Sequence, residues 1–265
     1  MLNKFSESGY IIVRNAISSK LISLIQKEIY NKLGIFSTNK KKNYIKFCNI
    51  VKKNKSKEYF FTKPLFEILL YKGLLKKLFL EKKFHSAISE ILGKDLAFCT
   101  DPGITLNLPD KPDPKKNYLY KDWHQEIWSG ASPSTIQIWT PLIHKTSKSG
   151  QIELIKESHK WGHVPHRDRK PLELPKFFKT IKLNLNYGDV IIFSTLLLHR
   201  SLPTNSARLS FPCLLKNFKF KDNSFQDIRS FHNYSYSEIT KIERILGNHF
   251  LSPFRLKNLD DNNLK

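Results

Sequence analysis

The spacing of apolar residues changes near residue 95 and divides the chain into a helical first part and a β-rich second part. Tyr10–Arg14 is a short apolar run that predicts a strand. Ser18 or Ser19 can cap a helix that reaches Leu33 and stops at Gly34, because serine oxygens accept the first free amide hydrogens of a helix. The apolar residues of this helix recur every three or four positions: Leu21, Leu24, Ile25, Ile29 and Leu33. We expect this stripe to pack on the β-rich part.

Helical spacing recurs in three further segments, and two other segments lack it. The predicted helices are Pro64–Leu80, Phe84–Leu92 and Glu238–Leu246. Residues 37–60 have few turn signals and no clean period, which favours a loop over the mouth of the active site or a poorly ordered segment. Residues 217–234 are predicted to be irregular.

From Asp95 onward, short β-rich runs alternate with Gly, Pro and Asn, as an antiparallel barrel requires. The predicted strands are Leu96–Thr100, Ile104–Leu108, Tyr118–Trp128, Thr135–Leu142, Ile152–Ile155, Thr180–Leu185, Val190–Ser194, Leu197–His199 and Leu209–Leu215. Gly188–Asp189 predicts a tight turn that directs His199 back to the barrel mouth. Nine short strands favour a jelly roll, so the predicted fold class is mainly β with flanking α-helices.

At 265 residues the chain can bury one large core, and a single domain is expected. Residues 1–94 would supply a strand and helices that pack on the barrel. Residues 95–216 would form the jelly-roll core, and residues 217–265 a C-terminal loop, helix and tail. No internal repeat contradicts this division.

Composition adds a formal net charge of +22, with many of the lysines in Lys40–Lys57. Tyr44 and Phe47 are interleaved there, a pattern also found where proteins track phosphate backbones or anionic membranes. Scattered lysines are most often solvated surface, so nucleic-acid binding is not expected as a primary role. An electrostatic preference for an anionic substrate or carrier stays open.

Cys48, Cys99 and Cys213 are an odd, scattered set with no metal-binding or disulfide spacing, which favours a reducing, cytoplasmic location. The first residues lack the apolar segment of a signal peptide, and no run approaches the roughly 18 apolar residues that span a bilayer. A soluble, unprocessed protein without a transmembrane segment is expected. The sequence does not indicate its oligomeric state.

The candidate chemistry begins with His124 and Glu126, two residues apart in Tyr118–Trp128. If this segment is a strand, both side chains project from the same face. His199, in a separate β-rich run, can complete a triangle. Two imidazoles and one carboxylate fill one face of the octahedron that ferrous iron prefers, and they leave three positions open, so the pattern predicts a catalytic metal site.

Arg208 and Ser210 follow His199 and share one face of the next predicted strand. A guanidinium fork beside a hydroxyl matches a carboxylate in charge and geometry, and the far carboxylate of 2-oxoglutarate is a natural occupant. Gln137 and Trp139 alternate on another strand, so both are expected to face the barrel interior. Gln137 can hydrogen-bond a cosubstrate or substrate, or serve as a polar core residue with an internal partner.

Two stretches carry a resemblance to a known family: DWHQEIWSGASPSTIQIWTPLIHKTSKSGQIELIKESHKWGH and YGDVIIFSTLLLHRSLPTNSARLSF. They resemble the phytanoyl-CoA dioxygenase family of iron- and 2-oxoglutarate-dependent oxygenases, and FSESGYIIVRNAIS is similar to that family's opening strand and helix. The resemblance covers roughly residues 5–30 and 95–215. It implies a jelly-roll (double-stranded β-helix, cupin-like) core and a dioxygenase that uses Fe(II), 2-oxoglutarate and O2.

The resemblance also implies roles for individual residues. His124, Glu126 and His199 would bind iron, and Arg208 would hold 2-oxoglutarate. Trp139 would lie against the cosubstrate, with Ser201 and Ser210 near its carboxylate. The family usually has Asp at the position of Glu126, so the longer side chain must retract by one methylene. A carboxylate here, where halogenating relatives have Ala or Gly, implies hydroxylation of an unactivated C–H bond.

Two alternatives from other functional classes remain at this stage. A metallohydrolase can use the same triad with zinc, although it has no need for Arg208 and Ser210. A barrel without catalytic activity can present the basic region as a docking surface, although all three ligands are retained. His163, His166, Arg167 and Arg169 are candidates for a substrate entrance, and His159 for a turn cap. The substrate is left as a small molecule or a carrier- or glycan-linked group, with a preference for an anion.

Overall fold

A computed structural model describes residues 1–53, 58–100, 103–107, 122–143, 151–202, 206–220 and 231–246 of the chain. Its helices are α1 (Leu2–Ser8), α2 (Ser19–Lys32), α3 (Lys40–Lys53), α4 (Glu58–Tyr71), α5 (Leu74–Phe79), α6 (Lys82–Leu92) and α7 (Glu238–Leu246). Two single-turn 3-10 helices occupy Glu126–Ser129 and Ser158–Trp161. None of the helices in these ranges combines the length and apolarity needed to cross a bilayer.

The strands are β1 (Tyr10–Val13), β2 (Leu96–Cys99), β3 (Thr105–Asn107), β4 (Ile136–Ile143), β5 (Ile152–Ile155), β6 (His166–Arg167), β7 (Lys170–Pro171), β8 (Thr180–Leu183), β9 (Val190–Ser194), β10 (His199–Ser201), β11 (Arg208–Asn217) and β12 (Phe231–Ser235). A major sheet has the order β1-β9-β4-β11-β2-β12, with β3 also paired to β11. A minor sheet has the order β10-β5-β8, and β6 and β7 form a hairpin. Every pair is antiparallel.

The major sheet separates two hydrophobic cores. Ile138, Ile192 and Phe211 point from one face into a core shared with the helices. Trp139, Ile191 and Phe193 point from the other face into a core shared with Ile152 and Leu154 of the minor sheet. Alternation along a strand produces this division, because successive side chains point to opposite faces. The interior between the two sheets, where the site lies, is therefore closed on one side by a sheet that the helices support. This arrangement confirms the predicted β core with flanking helices.

The turn before β9 forms where the sequence predicted it. The amide of Asp189 donates to the carbonyl of Asn186 at 3.1 Å, and Gly188 has φ +84°. A Cβ at Gly188 would lie 2.5 Å from the carbonyl oxygen of Ile17. The turn therefore requires glycine for both conformation and space.

The prediction of a loop or poorly ordered segment over residues 37–60 was wrong for most of that range, because it contains α3 and the start of α4. Asn43, Phe47 and Val51 are buried at intervals of four residues and pack α3 on the helical side. The side-chain oxygen of Asn39 accepts from the amides of Lys41 and Lys42 at 3.0 and 3.1 Å, which caps the helix. The many exposed lysines obscured this narrow apolar stripe. Residues 54–57 lie outside the described ranges.

Several other boundaries also differ from the predictions. The single helix predicted over Pro64–Leu80 is two helices, because Gly73 has φ +65° and ends the first. Residues 217–234, predicted to be irregular, end in β12, which pairs with β2. The major sheet therefore includes β1, which precedes residues 95–216 in the sequence, and β12, which follows them. Helix α1 and the β6-β7 hairpin were missed because they are too short to show a period.

Candidate active site

His124, Glu126 and His199 converge at the mouth of the space between the sheets. Their ligand atoms lie within 4.8 Å of one another. One carboxylate oxygen of Glu126 lies 3.5 Å from Nε2 of His124 and 3.3 Å from Nε2 of His199. The two imidazole rings are 4.1 Å apart between centroids. Three neutral or anionic donors pointing at one another leave room for a shared cation, so the donor set fits a divalent metal.

The strand predicted over Tyr118–Trp128 does not account for this convergence. His124 forms only an isolated antiparallel bridge with His199, in which each amide donates to the other residue's carbonyl at 3.1 Å. Glu126 is the first residue of a 3-10 helix. The same-face argument was therefore wrong, and the turn of that helix brings the carboxylate back to the histidines. Residues 118–121 lie outside the described part of the chain.

Both histidines are oriented by backbone carbonyls two residues before them. Nδ1 of His124 lies 2.7 Å from the carbonyl oxygen of Asp122, and Nδ1 of His199 lies 2.9 Å from that of Leu197. A carbonyl only accepts, so each Nδ1 carries the proton and each Nε2 has a lone pair available to a metal ion. Metal-binding histidines are commonly fixed in this way. Phe193 packs edge-on against His199 at 4.6 Å between ring centroids.

Gln125, between the two ligands, anchors this segment to two loops. Its amide nitrogen donates to the carbonyls of Gly162 and Leu196 at 2.8 and 2.6 Å, and its oxygen accepts from the amide of Val164 at 2.9 Å. The residue is fully buried. Hydrogen bonds are strong in an environment without water, so these three restrain the backbone of both His124 and Glu126. Gln125 was not among the predicted site residues, and the only signal in the sequence was its position between His124 and Glu126.

Arg200 links the segments that carry the candidate metal ligands, from the opposite face of the minor sheet. Its guanidinium contacts the nearly buried carboxylate of Glu153 at 2.8 Å and that of Asp122 at 3.1 Å. It also lies 4.4 Å from the ring centroid of Trp123. Asp122 carries the carbonyl that orients His124, so Arg200 connects β10, β5 and the segment before His124. Sequence reasoning did not single out Arg200.

Arg208, Ser210 and Trp139 lie together on the interior face of the major sheet. Arg208 and Ser210 are fully buried, and the guanidinium lies 4.8 Å from the ring centroid of Trp139. The hydroxyl of Ser210 is hydrogen-bonded to that of Thr105 at 2.9 Å. Burial lowers the pKa of the Arg208 guanidinium to about 9. A carboxylate bound beside it would favour the charged form again, so this position is suited to an anionic ligand.

Gln137 and Ser201 also face the interior. Gln137 lies opposite Phe193 of β9, and its side-chain oxygen is buried without a hydrogen-bond partner among the described residues. Ser201 shares the face of β10 that carries His199 and lies opposite Ile152. A buried acceptor without a partner is costly, so the Gln137 oxygen is a candidate contact for a ligand.

His159, His163 and His166 have contacts outside the triad. Nε2 of His159 is 2.9 Å from the carbonyl oxygen of Ser6, which ties the second 3-10 helix to α1. His166 stacks on Trp128 at 4.6 Å between ring centroids, and His163 lies 5.9 Å from His166. His166 therefore packs on Trp128, two residues after Glu126, whereas the ring of His159 bonds to the backbone of Ser6.

Comparison with known proteins agrees with the fold. The apo non-heme monooxygenase ThoJ has a TM-score of 0.60 at 14% identity, over 89% of this chain and 84% of ThoJ. The non-heme alpha-ketoglutarate-dependent carbocyclase SnoK from nogalamycin biosynthesis has 0.53 at 12%, over 88% and 95%. EvdO2 from Micromonospora carbonacea var. aurantiaca has 0.52 at 15%, over 80% and 88%. At these identities the similarity shows a shared fold.

No curated protein sequence matches this chain. The sequence model of the family described as Phytanoyl-CoA dioxygenase (PhyH) matches residues 5–210. That span includes the metal triad, Arg208 and Ser210. The chain therefore belongs to the phytanoyl-CoA dioxygenase family and is an enzyme of the non-heme, iron- and 2-oxoglutarate-dependent class.

Proposed function

We propose that this enzyme hydroxylates an unactivated C–H bond of an anionic small molecule or of a carrier- or glycan-linked group, with Fe(II), 2-oxoglutarate and O2. One observation carries the proposal. The Nε2 atoms of His124 and His199 converge on the carboxylate of Glu126, while a buried guanidinium lies on the interior face of the adjoining sheet. A hydrolase with the same triad has no use for that guanidinium.

Each residue has a distinct part in this proposal. His124, Glu126 and His199 would hold the iron on one face and leave the opposite face open. Arg208 would pair with the far carboxylate of 2-oxoglutarate, with Ser210 beside it and Trp139 along the cosubstrate. Bound iron and 2-oxoglutarate supply the activation of O2, and the protein supplies orientation and excludes water. Gln137 and Ser201 would contact the cosubstrate from neighbouring positions.

The surface beside the triad supports an anionic substrate. Trp123 and Trp128, on either side of the metal-binding segment, contact Phe178 and His166 respectively. The segment that carries these contacts has a formal net charge of +3: residues 166–179 contain Arg167, Arg169, Lys170, Lys176 and Lys179, with Asp168 and Glu173. Cationic side chains near the entrance raise the local concentration of an anion. Turnover of an anionic substrate should fall steeply with added salt, and a flat response would remove this part of the proposal.

A cytoplasmic location belongs to the same proposal. All three cysteines are free thiols, and Cys99 and Cys213 are buried. In a reducing compartment such thiols persist, whereas oxidising compartments favour disulfides. Reduced iron is also easier to maintain there.

The first experiment is anaerobic addition of Fe(II) and 2-oxoglutarate, followed by the visible metal-to-ligand charge-transfer band. The wild type should show the band, and His199→Ala and Glu126→Ala should lose it, because two protein donors hold iron poorly. His232→Ala, an exposed histidine on β12, is the matched control and should keep it. Absence of the band in the wild-type protein would contradict the proposal. Succinate formation with a panel of candidate anions would then identify the substrate.

A further inference from the structure

The regular pairing of β11 with β4 is interrupted by a register shift next to Arg208. Between β11 and β4, Leu209 pairs with Ile143 and Ser210 pairs with Pro141. Leu142 is therefore the extra residue of a bulge, next to a proline that has no amide hydrogen. The carbonyl of a bulged residue needs a donor from outside the ladder. Gln26 of α2 provides one, because its side-chain nitrogen donates to the carbonyl of Leu142 at 2.8 Å.

A second side chain from the helices bonds to the backbone at the start of β11, the other strand at this register shift. The hydroxyl of Tyr44 donates to the carbonyl of Ala207 at 2.8 Å. Ala207 immediately precedes Arg208, the first residue of β11. Tyr44 lies on α3, in the basic segment for which the sequence suggested no structure. Two helices thus bond to the backbone on both strands at the point where Arg208 and Ser210 enter the interior.

We propose that Tyr44 and Gln26 are positioning residues for cosubstrate binding, and that they act through the backbone next to Arg208. The inference rests on the proposed function, because it assigns Arg208 to the far carboxylate of 2-oxoglutarate. Paired guanidinium and carboxylate groups bond in a narrow geometry, and a small displacement of one weakens both bonds. Tyr44 bonds to the residue just before Arg208 on β11, whereas Gln26 bonds to β4, which pairs with β11, so each acts through the backbone around the guanidinium.

The surroundings of these two residues set the size of the expected effect. Gln26 and Tyr44 line a groove of about 690 Å³ together with Tyr30, Tyr187 and Lys40. Water in this groove can replace a lost hydroxyl, so the carbonyl of Ala207 would not be left dry. Loss of the Tyr44 hydroxyl should therefore weaken 2-oxoglutarate binding by about three- to tenfold rather than abolish it.

Anaerobic titration of the iron-loaded protein tests the inference with Tyr44→Phe. The Kd of 2-oxoglutarate should rise about three- to tenfold, while the Kd of iron stays unchanged. 2-Oxopentanoate, which lacks the far carboxylate, should bind wild type and variant equally. Tyr30→Phe is the matched control. It removes a hydroxyl from the same groove, and within the described ranges that hydroxyl has no hydrogen bond. The Kd of iron and the Kd of 2-oxoglutarate should therefore stay unchanged. In turnover, KM for 2-oxoglutarate should rise with kcat retained.

Three outcomes would overturn the inference. If Tyr44→Phe weakens the binding of 2-oxoglutarate and 2-oxopentanoate equally, Tyr44 has a general structural role. If neither Kd changes, Tyr44 has no role in cosubstrate binding. A wild type that never forms the charge-transfer band would remove the proposed function and this inference together, whereas a normal wild type with an unaffected Tyr44→Phe removes only the inference. Gln26→Met is the second variant and removes the hydrogen bond from α2 to β4. It should show the same selective loss even if Tyr44→Phe fails to fold.

Discussion

The metal triad and the Arg208 region are positioned by different means. Each histidine of the triad is oriented by a carbonyl two residues earlier in the chain, and the two histidines bridge each other directly. Arg208 instead depends on distant groups, because Trp139 covers its guanidinium and Tyr44 bonds to the preceding carbonyl. The triad is thus organised by its own segments and by the loops and minor sheet bonded to them, whereas the Arg208 region depends on the packing of helices against the major sheet.

This difference suggests that the two halves of the site can be perturbed independently. Local hydrogen bonds survive as long as the short segment keeps its conformation. Contacts between a helical layer and a sheet depend on the whole packed interface, and they weaken when any helix loosens. Substitutions in α2 or α3 should therefore affect cosubstrate binding and leave iron binding intact.

The largest effect should come from Arg208→Lys. Lysine keeps the positive charge but cannot form two parallel bonds with a carboxylate, so the Kd of 2-oxoglutarate should rise by about a hundredfold. Iron binding should be unchanged, because no ligand of the triad is altered. Anaerobic titration of both ligands measures the two constants separately. Arg14→Lys, on the surface near Asp189, is the control. A parallel loss of iron affinity would show that the two halves are not separable.

A smaller effect, confined to the triad, is expected for Arg200→Gln. Loss of the contacts to Glu153 and Asp122 loosens the segment that orients His124, so iron affinity should fall about tenfold. In iron-saturated protein the Kd of 2-oxoglutarate should stay within about twofold. Arg14→Gln also removes an arginine from a buried carboxylate, that of Asp189, and should lower stability without changing iron affinity. If both variants lose iron equally, the network around Arg200 has no specific role.

The triad could be predicted from sequence although the geometry used to predict it was wrong. His124, Glu126 and His199 were identified correctly as a cluster, because donor type and order along the chain carry that information. The same-face argument failed because Glu126 begins a 3-10 helix. His124 precedes that helix and Glu126 begins it, so the change of backbone conformation between them, rather than a continuous strand, brings the two side chains together. The spacing of two residues alone did not distinguish these cases.

The support for Arg208 could not be predicted from sequence. The shift between Leu209 and Ser210 depends on pairing with β4, about seventy residues earlier, and no local pattern marks it. Helix α3 was missed because its buried residues are only three among fourteen, and lysines dominate its composition. The amphipathic stripe of α2, by contrast, was broad enough to predict. The residues that position Arg208 are thus visible only after the sheet and the helices are assembled.

The smallest expected effect comes from Asn39→Ala, at the start of α3. Two amide hydrogens lose their acceptor, which should lower the free energy of unfolding by about 1 kcal/mol and the Tm by about 2–4 °C. Asn39→Asp keeps an acceptor and adds a charge that favours the helix N-terminus, so it should retain the wild-type Tm. Iron affinity should not change in either variant.

Tyr44 lies beyond the first turn of α3, where fraying is limited, so the Kd of 2-oxoglutarate should rise by no more than about twofold in Asn39→Ala. A larger rise, with iron affinity still unchanged, would mean that Arg208 depends on the whole of α3 rather than on one hydroxyl. A loss of iron affinity would contradict the separation of the two regions.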